Sequence, residues 1–237
     1  MAREREPRRT FLIAAGLTGA GTLLMASANA AAGPAKVAGP RRAEEEVSPV
    51  EDLMREHGVL RRVLLVYDEL VRRIEGRHPF PFEVLGAAAG IIRRFIEDYH
   101  EKLEEELVFP RFEKAGQLVD LVSVLRRQHK AGRRVTDVIV ASASPTAAHR
   151  ADVGITLVNA LEAFARMYRP HAAREDTVLF PELRPLVGAK EYDALGETFE
   201  EKEHELFGPK GFEGVVAEVA QLEEALGIHD LAKLTPT

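Results

Sequence analysis

The chain contains no cysteine and no tryptophan, and only 6% of its 237 residues are aromatic. Without cysteine there is no disulfide, no thiolate nucleophile, no zinc–thiolate site and no cysteine-ligated iron–sulfur cluster. Any metal must sit on nitrogen and oxygen. Few aromatics alongside 46% apolar residues fit packed amphipathic helices better than an all-β sandwich. A formal net charge of -6, with no basic face interleaved with aromatics, argues against nucleic acid as a partner. A phosphate-binding glycine loop is also missing, because Gly16, Gly19 and Gly21 fall in an apolar N-terminal run. No nucleophile is paired with a base.

That N-terminal run reads as an address. The segment MAREREPRRTF carries adjacent Arg8 and Arg9, followed by the apolar stretch LIAAGLTGAGTLLMA and the small-residue site Ala28-Asn29-Ala30. It resembles a bacterial twin-arginine signal peptide cleaved after about residue 30. The resemblance implies the twin-arginine translocation machinery as a partner, export of an already folded chain, and a periplasmic or extracellular location. The apolar stretch from Leu12 to Ala26 is broken by three glycines and is shorter than the roughly 20 residues of a spanning helix. No stable membrane insertion is therefore expected after cleavage. Residues 31–48, AAGPAKVAGPRRAEEEVS, mix Ala, Gly, Pro and charge without periodicity and read as a linker.

From Pro49 onward the apolar spacing is helical. Leu53, His57, Leu60, Leu64 and Val71 share one stripe until Gly76 and Pro79. A second run, from about Phe82 to Phe109, carries Ile92, Ile96, His100, Leu103 and Leu107, and is expected to end at Pro110. A third runs from about Gln117 to Ala141 through His129 and breaks at Ser144-Pro145. The fourth starts near Ala147 and carries Leu157, Phe164, Tyr168 and His171 to Phe180-Pro181. Two shorter helices, Lys190 to Phe207 and Phe212 to Leu226, follow. Short links between long amphipathic helices favour antiparallel neighbours. The expectation is an all-α, up-down four-helix bundle over 49–187, with a C-terminal helical extension over 188–237 packed on it.

An internal repeat selects the residues that carry chemistry. LMREHGVLRR around His57 matches LRRQHKAGRR around His129 in one Leu and three Arg positions. HEKLEEELVFP from His100 matches HAAREDTVLFP from His171 in a Glu at plus four, an acid at plus five and Phe-Pro at plus nine and ten. The offsets are 72 and 71 residues, as for a duplicated helical hairpin. Residues four apart on a helix share a face, so His100 with Glu104 and His171 with Glu175 form two forks, and His57 and His129 face them singly. One core histidine or one glutamate in EKLEEEL means little by itself. Two identical forks and two matched histidines mean a metal site, since buried carboxylates need a compensating cation. Mixed imidazole and carboxylate ligation suits iron, manganese or zinc.

These residues resemble the hemerythrin-like, or HHE cation-binding, domains over roughly 49–187. The resemblance implies a four-helix bundle holding two iron ions, oxo- or hydroxo-bridged, rather than manganese or zinc. His57, His100, Glu104, His129, His171 and Glu175 would be the metal ligands, with Glu104 and a carboxylate of the fourth helix as bridges. Oxygen-carrying hemerythrins have a second histidine one turn after the third-helix one, where this chain has Arg133. They also use the acid five after the fourth-helix histidine, so the bridge is Glu175 or Asp176, with Glu175 favoured by the repeat. The adjoining His100-Glu101 is similar to the iron-sensing domain of an F-box ubiquitin-ligase subunit. Glu101 is thus a further candidate, and His204 is another, although a surface histidine is its default reading. Tyr99 and Tyr168 flank the ligands, more readily as core aromatics than as hydrogen-bond donors. The implied function is binding O2 or another small diatomic such as NO, or storing or sensing iron. The alternatives are an oxidoreductase acting on peroxide or nitric oxide, and a structural bundle.

Overall fold

A computed structural model describes residues 47–143 and 151–236. The expected signal peptide with Arg8 and Arg9, the linker up to residue 46, the Ser144-Pro145 break and His149 lie outside the described residues.

Helix α1 spans Pro49–Glu75. Its start is written locally: Ser48 Oγ accepts from the Glu51 amide at 3.3 Å, Pro49 sits in the first turn, and Glu51 and Asp52 meet the positive end of the dipole. Helix α2 covers residues 82–115, α3 Val119–Ser142, and α4 residues 151–187; α5, Ala189–Phe207, and α6, Gly211–Leu226, follow. α1 packs on α2 and α4, and α3 packs on the same two, so the four close a bundle. α5 lies on α1 and the end of α4, and α6 on α1, α2 and α5. Phe207 of α5 sets its ring edge-on to Phe95 and Tyr99 of α2, and Phe212 of α6 lies beside Phe95. A fully buried ring such as Phe95 contributes about 1.5–3 kcal/mol. No helix among the described residues is long and apolar enough to cross a membrane.

Helices α2 and α4 do not end at Phe-Pro as the sequence led us to expect. α2 is already π-type over Ile92–His100; beyond that, each helix passes through a wide π-type turn, Glu104–Val108 in α2 and Glu175–Leu179 in α4, and resumes as Phe109–Ala115 and Phe180–Val187. The Phe109 amide bonds the Glu104 carbonyl and the Phe180 amide the Glu175 carbonyl, five residues back in both cases. This shift places Pro110 and Pro181 in the first turn of a new helical segment, where a missing N–H is tolerated. α2 finally stops at Gly116, whose φ of 68° is left-handed and closes the last turn on Glu113 and Phe112.

Candidate metal centre

The wide turns begin at the two glutamates of the forks, and this positions the site. On an undistorted helix, residue plus four lies about 40° from the histidine and plus five about 140° away. The π-type turn reduces the angular step, so both residues reach the core side. Glu175 Oε2 lies 3.0 Å from His171 Nε2 and 3.4 Å from His57 Nε2. Asp176 meets His57 from behind, with Oδ1 2.7 Å from Nδ1. In the other half, Glu104 Oε2 lies 3.4 Å from His129 Nε2 and 3.7 Å from His100 Nε2, and Glu105 Oε1 lies 3.1 Å from His129 Nδ1. All six expected ligands converge, and none is more than 3% exposed.

The imidazoles fall into two pairs. His57 and His100 bring their Nε2 atoms to 3.1 Å, and His129 and His171 to 3.2 Å. Each Nδ1 faces an acceptor oxygen: Asp176 for His57, Glu56 for His100 at 2.6 Å, Glu105 for His129, and Gln128 for His171 at 2.9 Å. An Nδ1–H donating outward leaves the Nε2 lone pair inward. Two facing lone pairs cannot bond each other, so each pair calls for a proton or a metal ion between them. Each glutamate touches one imidazole of either pair, and all four oxygens of Glu104 and Glu175 are buried without a well-formed hydrogen bond. These donors fit two cations with two imidazoles each and carboxylates between them.

Protonation follows the same need for positive charge. Burial alone would lower His57, but Asp176 and Glu175 outweigh it and hold the imidazole up to about 9. Burial and the neighbouring His57 push His100 well below the usual histidine range. Burial takes His129 down to about 4 against the pull of Glu105. Burial and Glu175 push Glu104 well up, whereas Glu175, against the effect of burial, is held well down by His171 and His57.

A family model described as the hemerythrin HHE cation binding domain matches residues 48–183. The chain belongs to the hemerythrin HHE cation-binding family. It is 50% identical over 194 residues, 82% of this chain and 76% of the relative, to the uncharacterized protein Rv1995 of Mycobacterium tuberculosis (strain ATCC 25618 / H37Rv). The match to the uncharacterized protein Mb2018 of Mycobacterium bovis (strain ATCC BAA-935 / AF2122/97) has the same identity and coverage. No solved structure matches the chain at a significant level. The HHE assignment makes the buried His and Glu cluster a cation-binding core, with iron the typical cation of the family.

Other candidates are placed differently. His204 is exposed on α5, outside every described group of ligating side chains. Glu101 is buried behind His129, 4.0 Å from Nδ1, where Arg133 at 2.7 Å and the Tyr168 hydroxyl at 2.5 Å hold it. Burial raises the Glu101 carboxyl to about 8 despite Arg133. Tyr168 is thus a hydrogen-bond donor as well as a core aromatic, which corrects the sequence preference; Tyr99 packs on Phe95. Reading the sequence missed Glu56, Gln128 and Glu105 as imidazole partners. It also missed Phe180 and Phe109, which stack on His57 and His129 at 5.5 Å. Arg61 and Arg133, which pair with Asp176 and Glu105, are a third omission of function. Every one of these has its counterpart in the repeat, which was the available signal.

Gly132 shows how closely Tyr168 is fitted. A Cβ at this α3 position would lie 2.0 Å from the Tyr168 hydroxyl. Gly132→Ala should therefore destabilise by about 1–3 kcal/mol through overpacking, although alanine is the better helix former by about 1 kcal/mol. Denaturant unfolding measures it, and a stabilised variant would show that the tyrosine moves freely.

Proposed function

We propose that the chain is an exported di-iron protein that binds O2 or another small diatomic such as NO, with His57, His100, Glu104, His129, His171 and Glu175 as the metal ligands. One observation carries this reading: two imidazole pairs, each supplying two inward nitrogens, share two glutamates. When bound, two irons ligated this sparsely supply open coordination positions and electrons for small-molecule binding. The protein's own part is to orient the imidazoles through their Nδ1 partners, to close the site with the stacked Phe109 and Phe180, and to hold a charge on Glu175. Storing or sensing iron uses the same centre. Export is supported by Arg8-Arg9 and the small-residue site at Ala28-Asn29-Ala30, because a twin-arginine route carries chains that have already folded around their metal.

A second reading, an oxidoreductase acting on peroxide or nitric oxide, is favoured by the buried Tyr168–Glu101 pair. Reducing such substrates consumes protons, and the Tyr168 hydroxyl, donating to Glu101 at 2.5 Å, places a proton-bearing group inside the core.

Mature protein recovered from the exported fraction should begin near residue 31 and carry two metal equivalents per chain, chiefly iron. Its optical spectrum should change between air, anaerobic reduction and added azide. One tightly held equivalent at full loading sinks the di-metal reading, and zinc in place of iron removes the redox function. Turnover of peroxide by reduced protein selects the enzyme, and a reversible spectral change with O2 the carrier.

A further inference from the structure

The two halves of the centre match in every inner residue, but the hydrogen-bond acceptors behind their imidazoles differ at one position. His100 Nδ1 meets the Glu56 carboxylate, whereas its repeat counterpart His171 meets the amide oxygen of Gln128. The remaining partners, Asp176 and Glu105, are both carboxylates. The hydrogen bonds behind the His57/His100 pair therefore both end on carboxylates, and those behind the His129/His171 pair on one carboxylate and one neutral amide, Glu101 standing beyond bonding distance of His129 Nδ1 at 4.0 Å. A carboxylate accepting from Nδ1–H makes the imidazole a stronger donor at Nε2; an amide does so far less.

Glu56 sits in a buried group with Asp52 and Glu203, their ligating oxygens within 4.8 Å of one another. Asp176 and Glu105 each pair with an arginine, Arg61 and Arg133 respectively, the latter at 2.9 Å, and Glu105 also meets Lys102 at 3.2 Å. Arg133 and Tyr168 likewise occupy Glu101.

Access supplies an independent observation. Glu56 is fully buried, but Gln128 is half-buried and lines a surface groove of about 690 Å³ together with Asp68, Arg166, Arg169 and Pro170. Pro170 stands inside α4 immediately before His171 and has no N–H for the carbonyl four residues back, that of Arg166. The weaker outer partner thus stands between His171 and solvent.

Resting on the two-metal reading above, we infer that the two positions are unequal. The His57/His100 position fills first and retains its ion. The His129/His171 position, behind Gln128 and its groove, is the one that exchanges.

The test is titration of the metal-free full chain with Zn²⁺ against a chromophoric chelator. Wild type should take two equivalents in two steps at least about tenfold apart in affinity, the scale on which outer partners tune metal sites. Gln128→Glu should tighten the second step toward the first. Glu56→Gln should weaken the first toward the second, with circular dichroism confirming that both variants fold. Two equivalents taken in a single step by wild type, or a second step unmoved by Gln128→Glu, would overturn the inference and leave the two-metal reading standing. Saturation at one equivalent would overturn both.

Discussion

Stripping the metal should lower the melting temperature by about 8–16 °C. The estimate follows from linkage: an ion present at about a thousand times its dissociation constant stabilises the folded state by about 4 kcal/mol, and each kcal/mol moves the midpoint of a domain this size by about 2–4 °C. The structural cause is in the core. Glu104, Glu175 and four imidazoles are buried together, and without cations the four glutamate oxygens have no well-formed hydrogen bond to offset their burial. Loss of stability should be reversed by adding back Fe²⁺ anaerobically or Zn²⁺. Scanning calorimetry of apo, loaded and reloaded protein checks this, and identical midpoints would mean that the core is balanced without an ion.

The second large effect separates the acids of α4. Glu175→Gln should abolish stable retention of two ions, because Glu175 Oε2 lies against one imidazole of each pair and its charge faces both. Asp176→Asn should weaken affinity by about 10–100-fold, the usual cost of losing an outer partner, since Asp176 acts through His57 Nδ1 and is tied to Arg61. Metal analysis after dialysis against a graded chelator ranks the two. If Asp176→Asn were the more damaging, the aspartate would be entering the inner site as it does in oxygen carriers, and reversible O2 carriage would be favoured over storing or sensing iron.

Much of this was legible from residue identities because the chain states its site twice. The Leu, Arg and His pattern around His57 and His129, and the His, Glu and Phe-Pro pattern after His100 and His171, isolated six residues from 8 histidines and 38 acids. Helical periodicity then placed them on apolar stripes, as expected of side chains facing a bundle core. Phe-Pro misled, because proline chemistry argued for two helix ends there. A proline can follow a π-type turn because the register shift spares its missing N–H, and periodicity alone does not register that shift.

Sequence by itself therefore determined the helical class, the duplicated hairpin, the nitrogen and oxygen ligand chemistry and the identity of the candidate ligands, all of which depend on residue type and local spacing. Tertiary structure decided which imidazole pairs with which. His57 faces His100, and His129 faces His171, because adjacent antiparallel helices oppose their stripes, and no local spacing encodes that pairing. Packing also decided the outer partners, in which Glu56 serves a histidine on α2 and Asp176 one on α1. It turned Arg133 toward Glu101 and Glu105, and it left Gln128 beside a groove while Glu56 was covered. A side chain's partner across a bundle depends on helix rotation and crossing, which arise from the sum of packing contacts rather than from any one segment.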